Sequence, residues 1–366
     1  MRVLVVNPGS TGLKVALVAA GKTERTDAVA SDQSLAEVAR VAGDWMPLDA
    51  AAVRFVHGGP DYLRPIRLDS LVLGDLELVT PLAPLHNPTA LAAARALLAA
   101  HPALPVVACF DTTFHAALPA AAATYALPRE WNQRWRLRRY GFHGLSHEYA
   151  AGRAAELLDR PLAQLRLVIC HLGGGASLCA VAGGRSVDTT MGFTPLEGLA
   201  MQVRSGSVDP GLLLWLQQEA GVGVDELGRT LEHRSGLAGL SGTSGDLREV
   251  EAGVERRDAD CQRAFDVYVH RLVRELGAMV ASAGGLDALV FTGGIGEHSA
   301  WLRGAVCERL GWLGVELDPQ RNAERTDRDR DIGASAGGVP VLVIGAREEL
   351  AAAAHAERVL TAAASG

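Results

Sequence analysis

The chain has no excess of basic residues, few cysteines, no long apolar run and almost no lysine. Its 366 residues carry 35 Lys+Arg against 42 Asp+Glu, a net charge of −7. That balance leaves no electrostatic footprint for nucleic acid or for an anionic membrane surface. The five cysteines, Cys109, Cys170, Cys179, Cys261 and Cys307, lie far apart with no C-x-x-C. Such spacing fits neither a zinc site nor a disulfide framework, and reads as small core residues in a reduced protein. No stretch of about 20 uninterrupted apolar residues is available to span a bilayer. The N-terminal apolar run stops at Asn7-Pro8, too short for a secretory signal, so a cytoplasmic location is expected. The only lysines are Lys14 and Lys22, which draws attention to Lys14, beside a glycine turn.

The composition is otherwise that of a folded protein, with 48% hydrophobic and 21% charged residues, and the length suggests two domains. Val3 to Val6 reads as a buried strand, Asn7 to Gly12 as a turn, and Leu13 to Val18 as a second strand. The same grammar returns with Leu165 to Cys170, the turn His171 to Ser177, and Leu178 to Val181. A third apolar run, Ala288 to Thr292, leads into Gly293-Gly294-Ile295-Gly296-Glu297. Helical patterns cover residues 90–100, 261–283 and 348–360, and the charge-dense stretch Arg321 to Asp331 reads as a solvated loop. Alternating strands and helices place the chain in the α/β class.

Glycine lets backbone N–H groups approach an anion without a Cβ in the way. Ser10, Thr11 and Ser177 add hydroxyl donors to two of the three turns. One such turn alone is commonly a tight hairpin; three in one chain favour a nucleotide, although no Walker A sequence occurs. Polar residues also gather on short segments: Arg54 to Gly59, Leu85 to Pro88, Phe110 to His115, Tyr140 to His147, and Arg204 to Ser207. Phosphoryl transfer needs such parts: cations to spread charge, a polar group near the nucleophile, and a metal ligand. Each also has a plainer reading. His143 and His147 can pack locally, Asp111 can cap a turn, Arg54 and Arg204 can form surface ion pairs, and Glu348 can favour a helix dipole.

Taken in order, these segments resemble the acetate kinase family. The resemblance rests on Asn7-Pro8-Gly9-Ser10, Arg54-Phe55-Val56-His57-Gly58-Gly59, Leu85-His86-Asn87-Pro88, Phe110-Asp111-Thr112-Thr113-Phe114-His115 and Tyr140 to His147. It continues through His171-Leu172-Gly173, Met191 to Gly198, Arg204 to Pro210 and Thr292 to Glu297. It implies two duplicated actin/hexokinase/Hsp70-like (ribonuclease H-like) α/β domains with an ATP cleft between them. The division expected is 1–112 plus 350–366, and 113–349. The implied reaction is reversible, direct in-line phosphoryl transfer from ATP to acetate, giving ADP and acetyl phosphate, with Mg2+ (or Mn2+) in a homodimer.

Carried over by position, Arg54 and Arg204 look like cations for carboxylate and phosphoryl oxygens. His143 looks like a donor to the transferring group, and Asp111 like the residue beside the carboxylate or a metal-bound water. Asn7 and Glu348 look like the residues that position magnesium. Val56, Leu85, Phe142 and Pro195 resemble the pocket for the substrate methyl, and strand alternation would put Val56 on the face of Arg54. Lys14, His171, Gly173, Gly174, Gly175, Asp246, Leu247, Arg248, Gly294, Ile295, Gly296 and Glu297 resemble the nucleotide's cradle. The chain departs from the family pattern at Thr11, Gly12, Gly174, Leu247, His298 and Arg347, and in a shorter segment between Lys14 and Arg54. Altered nucleotide affinity is the expectation from those departures. A propionate or butyrate kinase, or a weakly catalytic nucleotide sensor, is the competing reading.

Overall fold

A computed structural model describes residues 1–8, 12–30, 34–84, 86–334 and 337–364. The chain divides into two compact units. Unit 1 comprises Met1–Ala116, Phe142–Tyr149 and Arg347–Gly366; unit 2 comprises Ala117–Gly141 and Ala150–Ala346. Relative to the division expected from sequence, residues 113–116, 142–149 and 347–349 fall with unit 1. Hydrogen bonding from residues 142–149 to the strand end at Asp111 is one reason, since Gly144 N–H donates to the Asp111 carbonyl at 2.9 Å.

Both units carry a six-stranded mixed sheet with the same topology. In unit 1 the strands are β1 (Arg2–Pro8), β2 (Gly12–Ala19), β3 (Lys22–Ala30), β4 (Ala50–Phe55), β5 (Ile66–Arg67) and β6 (Val106–Phe110), in the order β3-β2-β1-β4-β6-β5. In unit 2 they are β7 (Arg166–Leu172), β8 (Ala176–Ala182), β9 (Arg185–Thr189), β10 (Ala288–Thr292), β11 (Arg330–Asp331) and β12 (Val341–Val343), in the order β9-β8-β7-β10-β12-β11. Each begins with an antiparallel meander, continues with two parallel strands and closes on a short antiparallel edge. This is the duplicated pattern that the resemblance implied. The charge-dense stretch 321–331 is less irregular than expected, because it ends in the edge strand β11.

The apolar runs are continuous because the central strands are buried on both faces. In unit 1, Leu4, Val6, Val53, Val106 and Ala108 face a core built with helix Asn87–Ala100. Val3, Val5, Ala16, Ala52, Val107 and Cys109 face the opposite way, onto Ala351, Ala352 and Ala356 of helix Glu348–Ala364. Small alanines let that helix sit close to the sheet. Period-two alternation continues this second face to Asn7, Lys14 and Arg54 at the strand ends, beside the first turn of the covering helix. In unit 2, the 25-residue helix Ala259–Ala283 starts at Asp258, whose side chain accepts from two backbone N–H groups, and ends at Gly284 with φ of 72°. All five cysteines are buried and unpaired with one another.

One buried cation helps to hold the strand-to-helix turn after β10. Arg303 is 1% exposed, and its guanidinium donates to Gly296 O, Glu297 O, Asn322 Oδ1 and Asn322 O at 2.8–2.9 Å. Burial pushes its pKa down to about 10. The acceptors at Gly296 and Glu297 are carbonyls near the end of helix Gly293–His298, where a positive charge is favoured. Replacing Arg303 with methionine keeps bulk and removes every donor. We expect a loss of about 3 kcal/mol in denaturant unfolding, from acceptors left unpaired in the interior. A loss under about 1 kcal/mol would show that water restores those bonds.

Candidate active site

In unit 1 the strand ends bring four distant segments onto one guanidinium. Arg54 Nε and Nη2 donate to Asp111 Oδ1 and Oδ2 at 2.8 and 2.6 Å, a bidentate fork. Its Nη1 donates to Asn7 Oδ1 at 2.8 Å and to Glu348 Oε2 at 2.9 Å. Asn7 Nδ2 closes the ring by donating to the same Glu348 oxygen at 2.8 Å. Lys14 lies opposite Asn7 in the β1–β2 register and is exposed.

Burial works against the Arg54 charge, but Asp111 and Glu348 more than offset it and hold the guanidinium above its ordinary pKa. At Asp111, burial is the largest influence and raises the carboxyl; Arg54 and a hydrogen bond from the His143 backbone pull it down, while Glu348 adds like-charge repulsion. The surface ion pair that a lone arginine usually forms is therefore not the arrangement here.

His143 precedes helix Gly144–Leu157 in a left-handed backbone conformation, φ 57°. Strain of that kind persists only where neighbours over-determine it. Here the neighbour is Gly144: a Cβ on it would lie 2.1 Å from the Asp111 carbonyl oxygen. Contact that close fixes His143 and Asp111 relative to each other. Phe142 is buried, its carbonyl within 3.1 Å of His115 Nε2 and its ring 5.5 Å from His57. His57 accepts at Nδ1 from Gly59 N–H at 2.8 Å, and burial lowers its pKa to about 4, so it is neutral at physiological pH. Val56 is buried, but β4 ends at Phe55, so strand alternation does not determine its direction. Leu85, Ser10 and Thr11 lie outside the described residues.

Unit 2 carries the remaining expected residues. His171 is the penultimate residue of β7, in register with Ser177 and Thr292. Gly173–Gly175 form the β7–β8 turn, with Gly173 N–H donating to Gly175 O at 2.9 Å. A Cβ on Gly174 would come 3.1 Å from Gln202 Oε1, so a glutamine amide borders the space that a larger side chain would enter. Gly294 is exposed and open, while Glu297 accepts from Ala346 N–H at 3.0 Å. Ile295 is half-buried. Asp246 caps helix Leu247–Glu255 and pairs with the exposed Arg248. Leu247 is 3% exposed; its side chain packs in the interior and offers little surface to a ligand.

Arg204 contrasts with Arg54. It is half-buried; among the described residues its one side-chain hydrogen bond runs to the Met201 sulfur at 4.0 Å, and no carboxylate lies within ion-pair distance. Burial lowers its pKa, opposed only by the more distant charge of Glu232. Pro195 lies in the irregular stretch after β9, half-buried.

Among the described residues no group of three His, Cys, Asp or Glu could hold a metal, and no helix is long and apolar enough to cross a membrane. Asn7, Asp111 and Glu348 supply hard oxygens, but these gather around the Arg54 guanidinium, which holds both Asp111 oxygens. The Asn7 amide oxygen and the Glu348 carboxylate are donors of the kind Mg2+ takes, with other positions left to water and phosphate. Sequence reading did not single out Gly144, Tyr125 or Arg139 for a role. Only Gly144 carried a local signal, as a glycine beside a candidate histidine.

Comparison with known proteins places these residues in context. The model of the acetokinase family matches residues 35–354. An acetate kinase of Synechococcus sp. is 45% identical, covering 98% of this chain and 99% of that protein. One from Leifsonia xyli is 50% identical over 86% of this chain and 79% of its own. The crystal structure of Porphyromonas gingivalis acetate kinase superposes with a TM-score of 0.90 at 31% identity, covering 98% of this chain and 99% of that one. A propionate kinase from Francisella tularensis gives 0.88 at 32% identity, covering 97% and 98%.

The close approach at Gly144 is testable by stability alone. Gly144→Ala should cost at least about 3 kcal/mol, because the backbone it would strike cannot rotate away. Gly294→Ala, at an open position, should change stability by less than about 1 kcal/mol. Equal denaturant midpoints for the two variants would contradict the contact at Asp111.

Proposed function

The chain belongs to the acetokinase family, and we propose how its residues carry out that family's reaction. The activity is that of an acetate kinase, moving the γ-phosphoryl group of ATP to the acetate carboxylate. The observation that carries the proposed roles is the difference between the two arginines. A half-buried guanidinium without a carboxylate, as at Arg204, is an anion site awaiting an anion. In a loose phosphoryl-transfer transition state charge sits on the equatorial oxygens, and a positioned arginine stabilises it. Arg204 takes that role. Arg54, already charged and held flat by Asp111, takes the acetate carboxylate or the product acyl phosphate.

His143 donates a hydrogen bond to the transferring group, and the carboxylate attacks phosphorus directly, without a phosphoenzyme. Asp111 keeps Arg54 charged and oriented. Asn7 and Glu348 are the residues that would hold Mg2+, which when bound neutralises phosphate charge. Lys14, His171, the Gly173–Gly175 turn, Asp246, Arg248 and the Gly294–Glu297 turn are assigned to the nucleotide; the burial of Leu247 argues against a direct part for its side chain. Val56, Phe142 and Pro195 wall the alkyl tail. We also propose a homodimer in a reducing cytoplasm. Helix Pro210–Gln218 buries none of its residues and exposes Leu212, Leu214 and Trp215, apolar surface that a second copy would cover. The five buried thiols suit a reducing compartment.

The two arginines should respond differently to removal. Arg204→Ala should cut kcat by about a thousandfold or more while leaving the unfolding midpoint unchanged, since it orphans no carboxylate. Arg54→Ala should lose turnover and also about 3–5 kcal/mol of stability, because Asp111 is left buried and unpaired. Near wild-type kcat in either variant would remove that arginine from the site.

Substrate size tests the pocket. Val56→Ala should raise propionate relative to acetate by roughly five- to thirtyfold in kcat/KM, on the methylene scale. A pure stability effect lowers both substrates alike, so an unchanged ratio would exclude Val56 from the wall.

A further inference from the structure

The stretch from Met191 to Gly198 is neither strand nor helix, so no backbone ladder sets its path. Two side chains from the 117–141 segment secure it instead. The Tyr125 hydroxyl accepts from Phe193 N–H at 2.7 Å and donates to Glu197 Oε2 at 2.6 Å. Arg139 Nη2 donates to Glu197 Oε1 at 2.6 Å, and its Nη1 donates to the Thr190 and Met191 carbonyls, both at 3.1 Å. The backbone N–H groups of Tyr140 and Gly141 add donors to Gly192 O, at 3.0 and 3.3 Å.

The packing leaves no slack. A Cβ on Gly192 would lie 1.7 Å from Glu197 Oε2 and 2.2 Å from the Tyr125 oxygen. Pro195 sits midway between the two groups that Tyr125 holds, two residues from Phe193 and two from Glu197. One phenol oxygen thus ties the stretch on both sides of the proline. Linked bonds of this kind, one of them to a carboxylate, polarise each other and hold better than isolated ones.

We propose that Tyr125 is a positioning residue for acyl-chain selection, its hydroxyl holding Pro195 where it limits the length of the carboxylate. This rests on the reading that Pro195 walls the alkyl tail. Tyr125 touches neither substrate nor nucleotide in this account; it acts through the Phe193–Glu197 span. Glu197 is the anchor between Tyr125 and Arg139. A wall displaced by a fraction of an ångström forfeits part of the discrimination that a methylene provides, which for a fixed pocket is about 10- to 200-fold.

Tyr125→Phe keeps the ring and deletes the oxygen. Initial rates of the full-length enzyme with acetate and propionate should show the propionate-to-acetate ratio of kcat/KM rising about three- to tenfold, as part of the methylene discrimination is lost. The acetate KM should rise while the ATP KM stays within about twofold, the split expected when only substrate positioning is lost. Glu197→Gln retains an acceptor for Tyr125 but weakens the Arg139 tie, and should shift the ratio the same way by less. Pro195→Ala is measured alongside. If Pro195→Ala moves the ratio and Tyr125→Phe does not, the positioning role is overturned and the pocket reading stands. If Pro195→Ala leaves the ratio unchanged, the pocket reading fails. The route from Tyr125 through Pro195 would then fail with it, whatever Tyr125→Phe does. A Tyr125→Phe enzyme slowed equally on both substrates would overturn the inference, because lost folding alone leaves the ratio untouched.

Discussion

The bidentate fork between Arg54 and Asp111 is the interaction on which unit 1 depends. Both groups are largely removed from water, and neither charge is tolerable there alone. The fork satisfies them and leaves Nη1 free to draw in Asn7 and Glu348. Four segments, residues 7, 54, 111 and 348, are thereby fixed around one planar cation. The price is that any change in one member disturbs the others, as expected for a coupled buried network.

The two units share a topology and put it to different electrostatic use. In unit 1 the cation at the end of the sheet is saturated by carboxylates and raised in pKa. In unit 2 Arg204 is sheltered beside a thioether and lowered in pKa. A guanidinium bonded on four of its five hydrogens is a rigid anchor with one Nη2 hydrogen left to offer; an unsaturated one gains most when an anion arrives. The two units repeat one scaffold, and the side chains at their margins give the two arginines different surroundings. The residues that secure those margins sit at the ends of regular elements or outside them: Gly144 opens its helix pressed against a carbonyl, and Tyr125 bridges a loop.

Much was legible in the chain itself. The apolar runs revealed the central strands because both sheet faces are covered, which removes the alternation of a half-exposed strand and leaves a plain hydrophobic stretch. The long helix showed its period over 261–283, while its aspartate cap and first two residues emerged only in the structure. Asp111 was placed at the end of its strand because the apolar run stops there. The repeated strand–turn–strand grammar foretold two related sheets. Short edge strands such as β11 stayed hidden, since two residues carry no periodicity.

What the sequence by itself determined was the set of local elements, their duplication, and the polar residues at strand ends that resemble the acetate kinase family. What tertiary structure decided was which of those residues pair. Arg54 and Arg204 look alike in a string of letters, each beside a glycine-containing turn. Only folding shows that one meets an aspartate 57 positions away and a glutamate 294 positions away, while the other meets a methionine three residues off. The same holds for Tyr125, an isolated tyrosine in an alanine-rich stretch whose carboxylate partner lies 72 residues further on. Strand and helix periodicity arises from neighbours along the chain, whereas charge, burial and pKa depend on neighbours in space, and those exist only once the sheet has brought distant segments together.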